Sequence, residues 1–184
     1  LSLLRNMDQR NSYSIIYRNV KNLRIEVSSD NVKVIVPLGY DEKVESVIEK
    51  YEKWINEKIK KLKEVQEISN GLPLYNHGNL KEIIENYVEE YGKILKRKPE
   101  KILFRKMKNR WASCHYKDKK IIFNKKLKFL PESLIKYVVL HEMCHLLVKN
   151  HRKEFYLLVK KIDVDFENKE KLLLCYKFKI AGMI

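Results

Sequence analysis

Short runs of β-branched and aromatic residues open the chain: Ser12 to Tyr17, Leu23 to Val27 and Val32 to Val36, parted by Asn, Ser and Asp. Such runs predict strands joined by turns. Val32, Val34 and Val36 alternate with Lys33 and Ile35, and Pro37 closes the run, so a three-stranded antiparallel meander is the simplest arrangement. The spacing then changes. Val44, Val47, Ile48, Tyr51, Trp54, Ile55, Ile59, Leu62 and Val65 recur at three and four residues, which predicts an amphipathic helix. Asp41 stands where its carboxylate can accept a free N–H of the first turn. Residues 69–79, with two Gly and one Pro, read as a loop, and a second amphipathic helix is predicted from Leu80 to Leu95.

Beyond Pro99, Ile102 to Met107, Arg110 to His115 and Ile121 to Phe123 read as strands, with Lys117-Asp118-Lys119 as a turn. Pro131 suits a first helical turn, where its missing N–H is not needed. From Leu134 to Val148 the residues are apolar nearly all round, which predicts a buried central helix. Lys153 to Ile162 and Glu170 to Phe178 predict two more helices. The blocks define an α+β class: N-terminal antiparallel strands, long helices, and a small sheet packed beside the central helix. Only 5 Gly and 4 Pro in 184 residues leave little room for a linker. A single domain over 1–184 is therefore expected, with strands over about 1–40, helices over 41–95 and a core over 100–184.

Composition adds two constraints. The formal charge of +15 suits a polyanionic partner such as nucleic acid, although lysines spread along the whole chain equally describe a solvated basic surface. Three widely spaced cysteines argue against a disulfide framework and point to a reducing, cytoplasmic setting. The first ten residues are too polar for a signal peptide. No apolar run approaches the length of a membrane span, so no membrane partner is expected.

The candidate chemistry lies on the central helix, at His141-Glu142-Met143-Cys144-His145. Residues four apart on a helix lie about 40° apart around the axis and about 6 Å along it. His141 and His145 can therefore reach one tetrahedral Zn²⁺. Glu142 points about 100° away from His141, free to take a proton from a water held by the metal. Histidines and a carboxylate within an apolar helix are costly without partners, and a metal removes that cost. For the third ligand, His151 is the first candidate, with Glu154, Asp163 and Asp165 as rivals. His151 completes the ten-residue span of the metzincin pattern, but Val148 stands where that pattern has its Gly. Asn150, which tolerates the left-handed conformation, is expected to make the turn.

Further motifs follow in order: Arg110-Trp111-Ala112-Ser113-Cys114, Ile122-Phe123-Asn124, Leu130-Pro131, Tyr137-Val138-Val139, and Asn150-His151-Arg152-Lys153-Glu154-Phe155. Together with the zinc helix they resemble the YgjP-like metallopeptidases, related to SprT-type and WLM-type proteases, over about Tyr13 to Phe155. The resemblance implies a minimal gluzincin-like fold, zinc on His141, His145 and His151, and Glu142 as the catalytic base in hydrolysis of a peptide or protein substrate. Ala112 departs from the family's Gly, and Arg152 from a small residue.

Among the remaining side chains, Arg110 and Tyr156 are candidate donors to the transition state, with His115 a weaker one. Trp111 and Cys144 read as packing and His77 as plain surface. Two alternatives accompany the peptidase reading. One is a nucleic-acid-associated protease acting on DNA-bound proteins, implied by the SprT and WLM resemblance and the charge. The other is a non-catalytic module stabilised by zinc, which would have no need of Glu142. The oligomeric state is not legible.

Overall fold

In the computed structural model, residues 12–40 and 43–181 are described; Asp41, the expected helix cap, lies outside them. The chain divides after Gly71 into two compact units. Each has its own apolar cluster. One gathers Val32, Val34, Val36, Val44, Ile55 and Ile59, and the other gathers residues from Leu80 to Ile180. The expected 41–95 helical segment is thus shared between the units.

The first unit holds β1 (Ser12–Arg18), β2 (Arg24–Val27), β3 (Asn31–Pro37) and α1 (Val44–Gly71). The sheet order is β1-β3-β2, with β1 parallel to β3 and β2 antiparallel to it. This corrects the antiparallel meander. Val34, Ile35 and Val36 are all buried, so this strand needs cover on both faces. A strand buried on both faces takes the centre of a sheet, and a meander would have given that place to the short β2. The helix α1 runs six residues beyond the last apolar position of its predicted stripe and takes in the first three residues of the loop expected over 69–79.

The second unit holds α2 (Leu80–Leu95), β4 (Lys101–Arg105), β5 (Ala112–His115), β6 (Lys120–Asn124), a 3-10 turn (Lys125–Phe129), α3 (Glu132–Cys144), α4 (Lys153–Ile162) and α5 (Phe166–Ala181). Its sheet repeats the wiring of the first. The order is β4-β6-β5, β4 runs parallel to β6, and β5 pairs antiparallel with it. Again the most apolar run is central: Ile121, Ile122 and Phe123 are buried in succession. That leaves β5 at the edge. The 117–119 turn forms as expected, with Lys119 at φ 44°.

Asn124 closes β6 and is 2% exposed. Its carboxamide oxygen accepts from the N–H groups of Met107 and Lys126, and its Nδ2 donates to the carbonyls of Met107 and Arg110. All its hydrogen-bonding capacity is thereby used, as burial of an amide requires. One side chain thus ties the β4–β5 loop, and Arg110 within it, to the turn after β6.

Helix α3 is buried on nearly every side, and its neighbours include α2, β5, α4 and α5. Pro131 precedes the helix as its N-cap rather than standing in the first turn. The helix stops at Cys144, four residues short of the apolar pattern.

Candidate metal centre

His141 and Glu142 therefore stand in the last turn of α3, and His145 is its C-cap, a correction to the mid-helix position expected. The geometry of four-residue spacing survives, because His145 N–H still bonds to the His141 carbonyl at 3.3 Å. Leu146 and Leu147 then bond back to Met143 and Cys144, a tightened final turn that lets the chain leave the helix axis. Asn150 is not left-handed: among the described non-glycine residues only Lys96 and Lys119 have positive φ.

This exit returns His151 to the helix end. Its Nε2 lies 2.9 Å from Nε2 of His141 and 3.1 Å from Nε2 of His145. Phe155, fully buried, supports all three rings, with centroid distances of 4.9 Å to His141, 4.4 Å to His145 and 4.9 Å to His151. His151 and Phe155 are four residues apart across the start of α4, which accounts for the His-x-x-x-Phe spacing. Glu154, Asp163 and Asp165 do not join the cluster, and no fourth His, Cys, Asp or Glu completes it among the described residues.

The tautomers follow from the outer hydrogen bonds. Nδ1 of His145 is 3.0 Å from the carbonyl of Val148, which can only accept, so this nitrogen carries the hydrogen. Tyr137 donates its hydroxyl to Glu170 at 2.9 Å and turns its oxygen toward Nδ1 of His141, a long contact of 3.5 Å. On both rings Nε2 is left with its lone pair. Burial, then the neighbouring His145 and His151, push His141 down to about 3, and burial likewise lowers His145. His141 and His145 thus resist protons while aiming their lone pairs at one point. Tetrahedral zinc with bonds of 2.0–2.1 Å would hold its nitrogens about 3.3 Å apart, close to the spacing found.

Glu142 is 7% exposed. Burial pushes its carboxyl up to about 7, while a hydrogen bond from the Cys114 backbone N–H and the charge of Arg110 act the other way. The carboxylate thereby bridges α3 to the edge strand β5. A cleft of about 1000 Å³ opens over the cluster. It is lined by Arg110 to His115, by His141, Glu142, His145 and His151, and by Glu170, Leu173 and Lys177 of α5.

The remaining expectations fare differently. Arg110 and His115 reach the cleft. Tyr156 does not line it; its ring is 6.2 Å from His151 and 5.9 Å from Phe166. Cys144 is buried packing, as expected. Trp111 lines the cleft while packing against the core. His77 is not plain surface: its Nε2 contacts the carbonyl of Leu130 at 3.0 Å and its N–H bonds Lys128, pinning the segment before α2 near the entry to α3. Sequence reasoning missed Tyr137 and Glu170. Tyr137 reads as one more core aromatic, and only the packing of α5 brings Glu170 to it. Among the described residues, no helix is long and apolar enough to cross a membrane.

Three ring nitrogens prepared for one cation, beside a buried carboxylate in an open cleft, are the equipment of a metal-dependent hydrolase. Comparison with known proteins gives the class its family. The family model described as YgjP-like, metallopeptidase domain, matches residues 67–174, and the chain belongs to that family. The match starts near the end of α1, so the N-terminal strands included in the motif reading fall outside it. No curated protein matches the chain. Among solved structures, the chain is similar to the metallopeptidase zymogen abylysin of Pyrococcus abyssi. The two are 22% identical, with a TM-score of 0.46, over 50% of this chain and 91% of that one.

Proposed function

We propose that the protein is a zinc-dependent peptidase with Glu142 as its general base. The observation that carries this reading is the convergence of the three Nε2 atoms beside a buried carboxylate in the lining of a cleft. His141, His145 and His151 would hold the ion. When bound, zinc supplies Lewis acidity toward a water molecule and the peptide carbonyl.

The chain's own residues account for the rest. The Trp111 carbonyl accepts from Asn124 N–H on β6, so by strand alternation the backbone groups of Ala112 and Cys114 point away from the sheet. Cys114 N–H indeed meets Glu142. With the Cys114 N–H taken by Glu142, the outward N–H and carbonyl of Ala112 suit an extended peptide added as a further strand, which would lie along the cleft. Glu142 takes a proton from the attacking water and passes it to the leaving amine. Arg110, which lines the cleft just before β5, would steady charge on the carbonyl oxygen.

Glu142→Gln is the test. The amide keeps the shape but not the basicity, so zinc content should be unchanged and turnover should fall by about 10²–10⁴-fold. Wild-type peptidase rates in a zinc-replete Glu142→Gln protein would remove the mechanism.

A further inference from the structure

We infer that the cleft selects acidic peptides, an inference that rests on the peptidase reading and names the substrate class for that site. The charge of the molecule is unevenly placed. From Leu72 onward there are 26 basic and 13 acidic residues, so this unit carries +13 of the total +15. Part of that excess lines the cleft. Arg110 stands before β5, Lys117 in the turn after it, Lys149 beyond α3, and Lys177 on α5. All four are exposed.

Three acidic side chains share the lining, and each is already engaged. Asp118 pairs with Lys120 at 3.0 Å. Glu170 accepts from Tyr137, and Glu142 accepts from Cys114 N–H. None of the four basic groups has an ion pair among the described residues. Other lysines of this unit, Lys119, Lys136 and Lys169 among them, do have carboxylate partners. Arg110 and Lys117 act on Glu142 and Asp118 only from beyond ion-pair distance, and the rest of the positive charge of the cleft is left for something that enters it.

A peptide lying along β5 passes Arg110 at one end and Lys117 at the other, with Lys177 of α5 in the lining of the same cleft. Its side chains repeat on one face about every 6.6 Å, so Asp and Glu on both sides of the scissile bond would meet cationic groups. Lys and Arg at those positions would be repelled. Exposed charges act through water and are screened by salt, so the preference should appear in capture of substrate and fade as ionic strength rises.

The experiment uses the full chain loaded with zinc. Three quenched peptides share one cleavable centre and are flanked by Glu, by Ser or by Lys. Expected is kcat/KM for the Glu peptide about tenfold or more above that for the Lys peptide at low salt, with the ratio shrinking in 0.5 M salt. The double variant Lys117→Glu, Lys177→Glu should lower that ratio about tenfold, and Lys117→Arg, Lys177→Arg should keep it.

Binding of the same peptides to zinc-loaded Glu142→Gln protein, followed by fluorescence anisotropy, reads the preference without turnover. If the wild type cleaves nothing but the variant binds the Glu peptide best, the peptidase reading falls and the acidic preference stands. Equal binding of all three peptides overturns the inference and leaves the peptidase reading intact. The inference is also overturned if the charge-reversed variant loses affinity for a short DNA duplex while its peptide ratio is unchanged, since nucleic acid would then be the occupant.

Discussion

At the scale of single residues, the site depends on groups that never touch the metal position. Tyr137 is almost wholly buried and links Glu170 to His141. By accepting at His141 Nδ1 it selects the tautomer that leaves Nε2 free. Outer partners of this kind commonly change metal affinity by 10–100-fold. Because the contact is long, Tyr137→Phe is expected at the lower end: zinc affinity should fall about tenfold in competition with a chromogenic chelator, with the circular dichroism spectrum unchanged. Unaltered affinity would reduce Tyr137 to packing. Phe155 has a different role. It fixes the three rings by contact, which explains why an apolar residue stands four positions after the last ligand.

At the scale of elements, the ends of helices matter more than their middles. Helix α3 stops at Cys144, so the second histidine caps it and the third can return within six residues. Apolar patterning does not report this end, because Leu146 is buried in the turn as firmly as the residues inside the helix. The second helix ends under strain. Lys96 caps α2 in the left-handed region at φ 52°, ψ 35°, with its N–H on the Gly92 carbonyl. A side chain in that conformation costs about 1–2 kcal/mol, and glycine avoids much of it. Lys96→Gly should therefore raise stability by about 1 kcal/mol, read as a higher urea midpoint with an unchanged slope. A lower midpoint would mean that the Lys96 side chain contributes a contact worth more than the strain.

At the scale of the whole molecule, two units carry two cores, and all three clustered histidines belong to the second. An ion that binds only the folded form stabilises it by about 4 kcal/mol when its free concentration is a thousand times Kd. Zinc should therefore raise the calorimetric transition of the 72–184 unit, and a chelator should lower it again. The transition belonging to the first unit should not move. A parallel shift of both would show that the second unit is not the sole site of binding.

Sequence alone determined the metallopeptidase family, the three-histidine cluster and most elements. A His-Glu-x-x-His stretch in an apolar setting and a downstream His-x-x-x-Phe are local, so their spacing encodes which side chains share a helix face. Periodicity placed α2 and α4 for the same reason. Strand neighbours were not legible, because each strand shows how much of itself must be covered but not which strand covers it. The meander failed on that point, and so did the left-handed turn at Asn150. Only the tertiary structure decided that β3 and β6 are central, that β5 offers its free edge to Glu142, and that Glu170 of α5 reaches Tyr137. These are contacts between segments far apart in the chain. They are settled by which apolar surfaces find cover, a property of the packed molecule rather than of any one stretch of residues.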